Sequence, residues 1–96
     1  MVEKPTLLSI ATDPGGEVVH IHADLSGLKR LRSELERMIE NLEKDQCDHT
    51  HLRSEDWAGY ELTTSMLEAE KAAGCRQVHH LKISSWNEIW KIKNEL

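Results

Sequence analysis

The segment DLSGLKRLRSELERMIENLEK, residues 24–44, decides the fold because its pattern fits only one kind of element. Apolar side chains recur along it at three- and four-residue steps, at Leu28, Leu31, Leu35, Met38 and Leu42. This spacing places them on one face of a helix. Asp24 or Ser26 can cap the first turn, since both side chains accept hydrogen bonds from free backbone amides. We therefore predict one amphipathic helix of about five turns that ends near Lys44.

The residues before this helix have the pattern of a β-hairpin. Residues 6–12 and 17–23 are candidate strands, and the Asp-Pro-Gly-Gly sequence of residues 13–16 is a strong turn signal between them. Side chains alternate between the two faces of a strand. If Val19 and Ile21 face the helix, the imidazoles of His20 and His22 therefore point away from it.

The residues after the helix predict a smaller set of elements. A third strand is expected near 49–53, a short helix near 66–73 after a capping-box spacing at Ser65, and a last strand over 77–84. A final helical turn follows a second capping-box spacing at Ser85. The predicted fold is α+β, in a single domain of residues 1–96. It has an antiparallel sheet of about four strands in β-β-α-β-β order, with one long amphipathic helix packed on one face.

The charge of the chain excludes one class of partner. The 96 residues carry 17 acidic and 12 basic side chains, for a net charge of −5, and residues 34–70 hold most of the acids. Nucleic-acid binding needs clustered Lys and Arg, so it is not expected. The acidic block is either a solvated surface or a surface complementary to a basic partner. No apolar run is long enough to span a membrane, and the N-terminus lacks a signal-peptide pattern, so we expect a cytoplasmic protein.

Six histidines are the most unusual feature of the composition. They form the pairs His20/His22, His49/His51 and His79/His80. The predicted strand register puts all of them except His79 on the sheet face that the long helix does not cover. Such a face could hold a metal ion, supply acid and base groups, or bind another protein. No phosphate-binding loop or nucleophile elbow is present, so we do not expect an enzyme.

The three tryptophans divide into two groups. Trp57 lies in a polar loop before Gly59, where we expect a partly exposed anchor at an interface. Trp86 and Trp90 are four residues apart, and in a chain without Phe we expect them to fill the core.

Several short motifs resemble the pattern of immunity protein family 32, whose members are found with bacterial polymorphic toxins. The motifs are His51-Leu52, Trp57-x-Gly59, Glu61-Leu62-Thr63, and His79-His80-Leu81-Lys82-Ile83 followed by Trp86. The resemblance covers residues 49–86. It implies a small cytoplasmic protein that binds and neutralises one cognate toxin domain, and that needs neither a catalytic apparatus nor a cofactor.

The leading interpretation is therefore a non-catalytic protein whose partner is a toxin domain. The residues predicted to contact the partner are Asp48, His49, His51, Glu55, Asp56, Trp57, Glu61 and His80. One alternative is a small zinc-binding domain whose ligands come from His20, His49, His51 and His80. Another is a homodimer that buries the histidine face against itself.

Overall fold

The computed structural model describes residues 6–96, so Met1–Pro5, on which the expectation about a signal peptide partly rests, lie outside the described residues. The strands are β1 (Leu8–Thr12), β2 (Val19–Ala23), β3 (Asp48–Arg53), β4 (Arg76–Gln77) and β5 (His80–Ser85). The helices are α1 (Leu25–Glu43), α2 (Glu68–Ala72) and α3 (Glu88–Lys93), with a 3₁₀ turn at Glu55–Trp57. This confirms the α+β class and the one long helix. In the described part of the chain, no helix has the length and apolar character needed to cross a membrane.

The predicted hairpin forms as β1 and β2. The strands are antiparallel, with Leu8 opposite Ala23 and Ile10 opposite Ile21. The Asp13 carboxylate closes the turn, because its Oδ1 accepts the backbone N–H groups of Glu17 at 2.7 Å and Val18 at 2.8 Å. Each strand begins two residues later than the sequence pattern predicts.

The sheet is divided into two parts. One has the strand order β2-β1-β4, and the other is the antiparallel pair β3-β5. The predicted last strand over 77–84 is interrupted at Val78 and His79, where the chain passes from one sheet to the other. Val78 N–H donates to Ile10 C=O at 2.8 Å, whereas His79 C=O accepts from Ser54 N–H at 2.9 Å. The two sheets are thus joined through this interruption, and they replace the single four-stranded sheet expected from the sequence.

Helix α1 begins and ends where the sequence predicts. Asp24 is its N-cap, with Oδ1 accepting Gly27 N–H at 2.8 Å, and Lys44 is its C-cap. The start of the helix lies directly against the chain before β1. A Cβ atom at Gly27 would lie only 1.8 Å from the Leu7 carbonyl oxygen, so a glycine is required there.

The packing face of α1 is rotated from the predicted apolar stripe. Met38 is buried, and Leu31 packs on a core formed by Leu8, Ile10, Leu52 and Leu62. On the same helix face, α1 also makes a polar contact with β3, because Glu34 accepts from the Thr50 hydroxyl at 2.7 Å. As a result, Leu28, Leu35 and Ile39 are left largely exposed.

The face of the first sheet opposite α1 is covered by the segment that carries α2. The Ser9 side chain is fully buried there, donating to Ser65 C=O at 2.5 Å and accepting Ser65 N–H at 3.0 Å. The face of the first sheet that α1 does not cover is therefore covered by another segment of the chain.

Both short helices begin later than their capping-box spacings predict. Leu67 is the N-cap of α2, and its N–H donates to Glu70 Oε1 at 2.9 Å. Asn87 caps α3, accepting Trp90 N–H at 2.9 Å. Ser65 and Ser85 instead make bonds to distant strands: Ser65 to Ser9, as described above, and the Ser85 hydroxyl to the backbone of Asp48.

Candidate functional site

Three of the six imidazoles lie together on the second sheet. In the β3–β5 register, His49 is opposite Ser84, His51 is opposite Lys82, and Arg53 is opposite His80. Residues paired across a sheet share a face, so His49, His51 and His80 project from the same side. Helix α1 contacts Asp48 and Thr50 on the opposite face of β3. The three histidines therefore face away from α1, as predicted.

The three imidazoles form a contiguous cluster. His51 Nδ1 and His80 Nε2 are 2.7 Å apart and share a hydrogen bond, while the rings of His49 and His51 meet edge to face with centroids 5.2 Å apart. A bond between two ring nitrogens needs one donor and one acceptor, so at least one of these rings is neutral. Partial burial lowers the pKa of His51, and the positive charge of the nearby Arg53 lowers it further. This shift favours the neutral form of His51.

Trp57 extends this cluster at one end. Its indole ring stacks on His79 with centroids 6.2 Å apart and planes inclined by 8°, and lies 6.2 Å from the His80 ring. His79 itself is only half-buried. Its Nδ1 lies 2.9 Å from the hydroxyl of the fully buried Ser54, which fixes the imidazole beneath the indole.

Trp86 and Trp90 extend the cluster at the other end. Their rings are 6.1 Å apart, and with His49, Lys82 and Ser84 they line a cavity of about 330 Å³. Both indoles are more than one-third exposed, so the prediction that they fill the core is wrong. Helix α3 lies at the end of the second sheet and exposes Ile89 and Ile92 as well, which leaves no interior for the indoles to fill. We call Trp57, His80, His51, His49, Trp86 and Trp90 the docking surface.

Sequence reasoning missed Trp86 and Trp90 as members of this surface. The signal that could have identified them is their four-residue spacing at the start of a short helix that ends the sequence. A helix of six residues has too little apolar area to bury two indoles by itself.

Two of the predicted contact residues have carboxylates that are bonded within the fold. Asp48 points toward α1, where it forms an ion pair with Arg37 and accepts from Asn41 Nδ2 at 2.9 Å. The Asn41 bond is the main cause of the lowered pKa of Asp48, with help from the His49 backbone amide. Glu61 accepts the backbone N–H groups of Tyr60 at 3.0 Å and Arg53 at 3.2 Å. Burial raises the pKa of Glu61, but these amides outweigh it and the net shift is downward.

The acidic block of residues 34–70 is therefore not one continuous surface. Glu34 is bonded to Arg37 at 2.8 Å, and Glu68 to Lys71 at 3.2 Å. Glu55 and Asp56, by contrast, are exposed in the 3₁₀ turn beside Trp57. Asp56 Oδ2 lies 3.6 Å from His79 Nδ1. These two carboxylates are the acids that border the docking surface.

A second cavity, of about 460 Å³, adjoins this turn. Glu55 and Asp56 form part of its wall, opposite Arg30, whose guanidinium donates to Glu61 C=O at 2.8 Å. The cavity is lined mainly by polar side chains, and Glu55 and Asp56 are the only acidic residues among those of 6–96 that line it.

The remaining imidazole pair lies elsewhere, on β2. His22 Nε2 is 2.8 Å from Glu70 Oε2, and His20 Nδ1 is 3.5 Å from the same oxygen. The His22 bond is the main cause of the lowered pKa of Glu70, followed by the Leu67 amide. This cluster attaches α2 to the first sheet, which is a structural task.

The structure does not assemble the metal-binding set suggested by the spacing of the histidines. Strands β1, β4 and β5 separate His20 on β2 from His49 and His51 on β3. Among residues 6–96, no three His, Cys, Asp or Glu side chains form a group that could hold a metal ion. Cys47 and Cys75 are both free thiols.

Comparison with known families identifies the chain at the level of its family. The model of the family described as Immunity protein 32 matches residues 18–71, more than half of the chain. The chain belongs to this family. No curated protein and no solved structure matches it. The family match includes His49, His51 and Trp57 of the docking surface, while His80, Trp86 and Trp90 lie beyond the matched segment.

Proposed function

We propose that this member of the Immunity protein 32 family binds one cognate toxin domain and neutralises it, as a stoichiometric inhibitor with no catalytic step and no cofactor. The observation that carries the proposal is the docking surface, in which two groups of half-exposed indoles flank a cluster of imidazoles. For a member of this family, exposed indoles beside such a cluster support the binding of a protein partner.

The chemistry of the docking surface suits a protein partner. Tryptophan is among the residues most enriched at the energetic centres of interfaces, because it offers a large apolar area and one polar N–H group. Trp57 is already held by its stack on His79, so little side-chain entropy is lost when a partner covers it. The neutral His51 costs less to desolvate than a charged group.

The charge beside Trp57 favours a partner with a basic patch. Glu55 and Asp56 are exposed there, and opposite charge accelerates association and orients the encounter. The carboxylates of Asp48 and Glu61 already accept internal hydrogen bonds, which supports assigning the contact to Glu55 and Asp56. The acidic contact is thus assigned to one end of the docking surface.

The direct test is co-expression with a candidate toxin domain from the same genome, followed by measurement of growth and of binding affinity. We expect Trp57→Ala to weaken binding at least tenfold, or about 1.4 kcal/mol or more. Leu67→Ala is the matched control, because Leu67 is 57% exposed against 56% for Trp57 but lies at the start of α2. If both variants bind and protect like the wild type, Trp57 is not part of the interface.

A second test addresses charge. Replacing Glu55 with Gln and Asp56 with Asn should slow association several-fold at low salt, and the difference should shrink near 0.5 M salt. The control variant replaces Glu40 and Glu43, which are exposed near the end of α1, with Gln. It changes the net charge by the same amount. Equal slowing in both variants would show that net charge acts alone, without a local contact at the 3₁₀ turn.

A further inference from the structure

The side of the second sheet that faces away from α1 carries two cations and no acidic side chain. Side chains that share a face alternate along each strand, and paired residues share a face. Six residues of β3 and β5 therefore project from this side, and we call them the basic face: His49, His51, Arg53, His80, Lys82 and Ser84. Its two cations stand out in a chain whose net charge is −5.

Neither cation of the basic face is used within the described part of the fold. Among residues 6–96, Arg53 and Lys82 form no ion pair. Four other basic side chains, by contrast, pair with carboxylates three or four residues away along a helix: Arg32, Arg37, Lys71 and Lys91. Burial is the main cause of the lowered pKa of His51, and the charges of Arg53 and Lys82 add to it. Both charges therefore act on the same part of the face.

The imidazole pair adds a hydrogen-bond donor to the basic face. His51 Nδ1 and His80 Nε2 share one hydrogen, and a neutral imidazole carries one hydrogen only. With both rings neutral, His80 carries its own hydrogen on Nδ1 if His51 donates, and His51 carries its own on Nε2 if His80 donates. One N–H group of the pair is therefore left for a ligand in either tautomer. Negatively charged acceptors make the strongest bonds to such a donor.

The indoles at one end of the basic face strengthen its interaction with charge. Lys82 lines the cavity of about 330 Å³ together with Trp86 and Trp90. A further cation lies at this end, because Lys93 Nζ is 4.8 Å from the centroid of the Trp90 ring. An anion beside the indoles has less water around it than one in open solvent. Its attraction to Lys82 is therefore screened less than that of a fully solvated pair.

We propose that the basic face binds an acidic segment of the toxin domain, with its carboxylates against Arg53 and Lys82. This inference rests on the proposed function and adds the chemistry of the partner at that same site. The partner would present carboxylates to the basic face and a basic patch to Glu55 and Asp56. Opposite signs on neighbouring parts of one surface fix a single orientation of the partner, because the reversed orientation brings like charges together.

The position of the two acids favours a protein over a nucleic acid as the source of the negative charge. A nucleic-acid strand has one negative charge per nucleotide and no positive charge. Strands β3 and β5 have six residues each, or about 20 Å. Glu55 and Asp56 lie in the 3₁₀ turn directly after β3. A polyanion longer than the face would meet these carboxylates there, whereas the surface of a protein can change sign over the same distance.

The first experiment needs no toxin and uses a capped peptide of six alternating aspartate and glutamate residues as the probe. The peptide is titrated at low salt into the full chain, and binding is followed by the NMR shifts of the backbone amides. We expect the shifts to concentrate on β3 and β5, and to be absent with the matching asparagine–glutamine peptide. Lys82→Glu and Arg53→Gln should each weaken binding at least about threefold. Lys29→Glu is the control for Lys82→Glu, because Lys29 is exposed on α1 and the charge change is the same.

Three results of this titration would overturn the proposal. The first is the absence of shifts on β3 and β5. The second is equal weakening by Lys29→Glu and Lys82→Glu, which would show that net charge acts alone. The third is tighter binding of a thymidine hexanucleotide than of the acidic peptide, which would assign the face to nucleic acid. Far-UV circular dichroism checks that each variant is folded.

The second experiment uses a toxin domain that the wild-type chain neutralises. Lys82→Glu should weaken its binding at least about tenfold, because a like charge then faces the acidic segment, and Lys29→Glu should weaken it far less. Wild-type affinity of Lys82→Glu would overturn the acidic segment and leave the proposed function intact. Failure of the proposed function would instead appear as a wild-type chain that neutralises no toxin domain, so the two failures are distinguishable.

Discussion

Replacing Gly59 with Ala should destabilise the loop that carries Trp57. Gly59 follows the 3₁₀ turn, and its N–H donates to Ser54 C=O at 2.9 Å. A Cβ atom at this position would lie 2.5 Å from both the Cβ and the carbonyl oxygen of Arg53. Ordinary contacts begin at 3.4 Å, and the obstacle includes strand backbone, so the loop has to move away by roughly 1 Å.

The cost of that movement can be estimated from the hydrogen bonds it stretches. The carbonyl oxygen of Arg53 accepts the N–H groups of Glu61 and Leu62, both at 3.1 Å, and Leu62 belongs to the core. Losing one such bond costs about 1 kcal/mol, and overpacking typically costs a further 1 to 2 kcal/mol. We expect the free energy of unfolding to fall by about 2 to 3 kcal/mol. For a domain of this size, that is a large part of the total.

Equilibrium unfolding in urea measures this change, and the neighbouring residue provides a control. The midpoint for Gly59→Ala should fall by about 1 to 2 M, given a slope of roughly 1.5 kcal/mol per molar urea. Ala58 has a left-handed backbone, with φ of 62°, so Ala58→Gly relieves strain of about 1 kcal/mol and should be neutral or slightly stabilising. If Gly59→Ala unfolds at the wild-type midpoint, the close approach to Arg53 is wrong.

Two further predictions concern helix attachment. Asp24→Ala should lower the free energy of unfolding by about 1 kcal/mol. Asp24→Asn should retain most of the wild-type stability, because its amide oxygen still accepts Gly27 N–H. An alanine variant as stable as the wild type would contradict the role of Asp24 as N-cap. Glu70→Gln should destabilise most above pH 4.5, the ordinary pKa of this carboxyl, and the gap should close as the pH falls toward 3. The lowered pKa of Glu70 gives this sign, since its stabilisation is lost on protonation, and a gap that widens toward pH 3 would contradict it.

The parts of the fold that depend on local sequence could be predicted. Helix α1 and its Asp24 cap follow from residues within a few positions of each other, as does the hairpin turn closed by Asp13. The alternation along β3 likewise placed His49 and His51 on the face away from α1. In each case the side chain and its partner are close along the chain, so the local sequence pattern is enough to predict their contact.

The parts that depend on distant contacts could not be predicted. The interruption at Val78 arises because its N–H bonds to Ile10, 68 positions earlier. The sequence pattern predicts Asp48 on the partner surface, whereas its carboxylate bonds to Arg37 and Asn41 of α1. The sequence does not distinguish an acidic residue exposed to solvent from one that is paired with a basic side chain in the fold. Only the packing of α1 on β3 distinguishes the two cases.

The placement of the tryptophans has a consequence for spectroscopy. All three indoles of the chain belong to the docking surface, and each is more than one-third exposed. The intrinsic fluorescence of the folded protein should therefore resemble that of solvated indole, with little change in wavelength on unfolding. Contact with a binding partner would remove water from these rings and move the emission toward the blue. The intrinsic tryptophan emission would thus report binding at the docking surface without an added label.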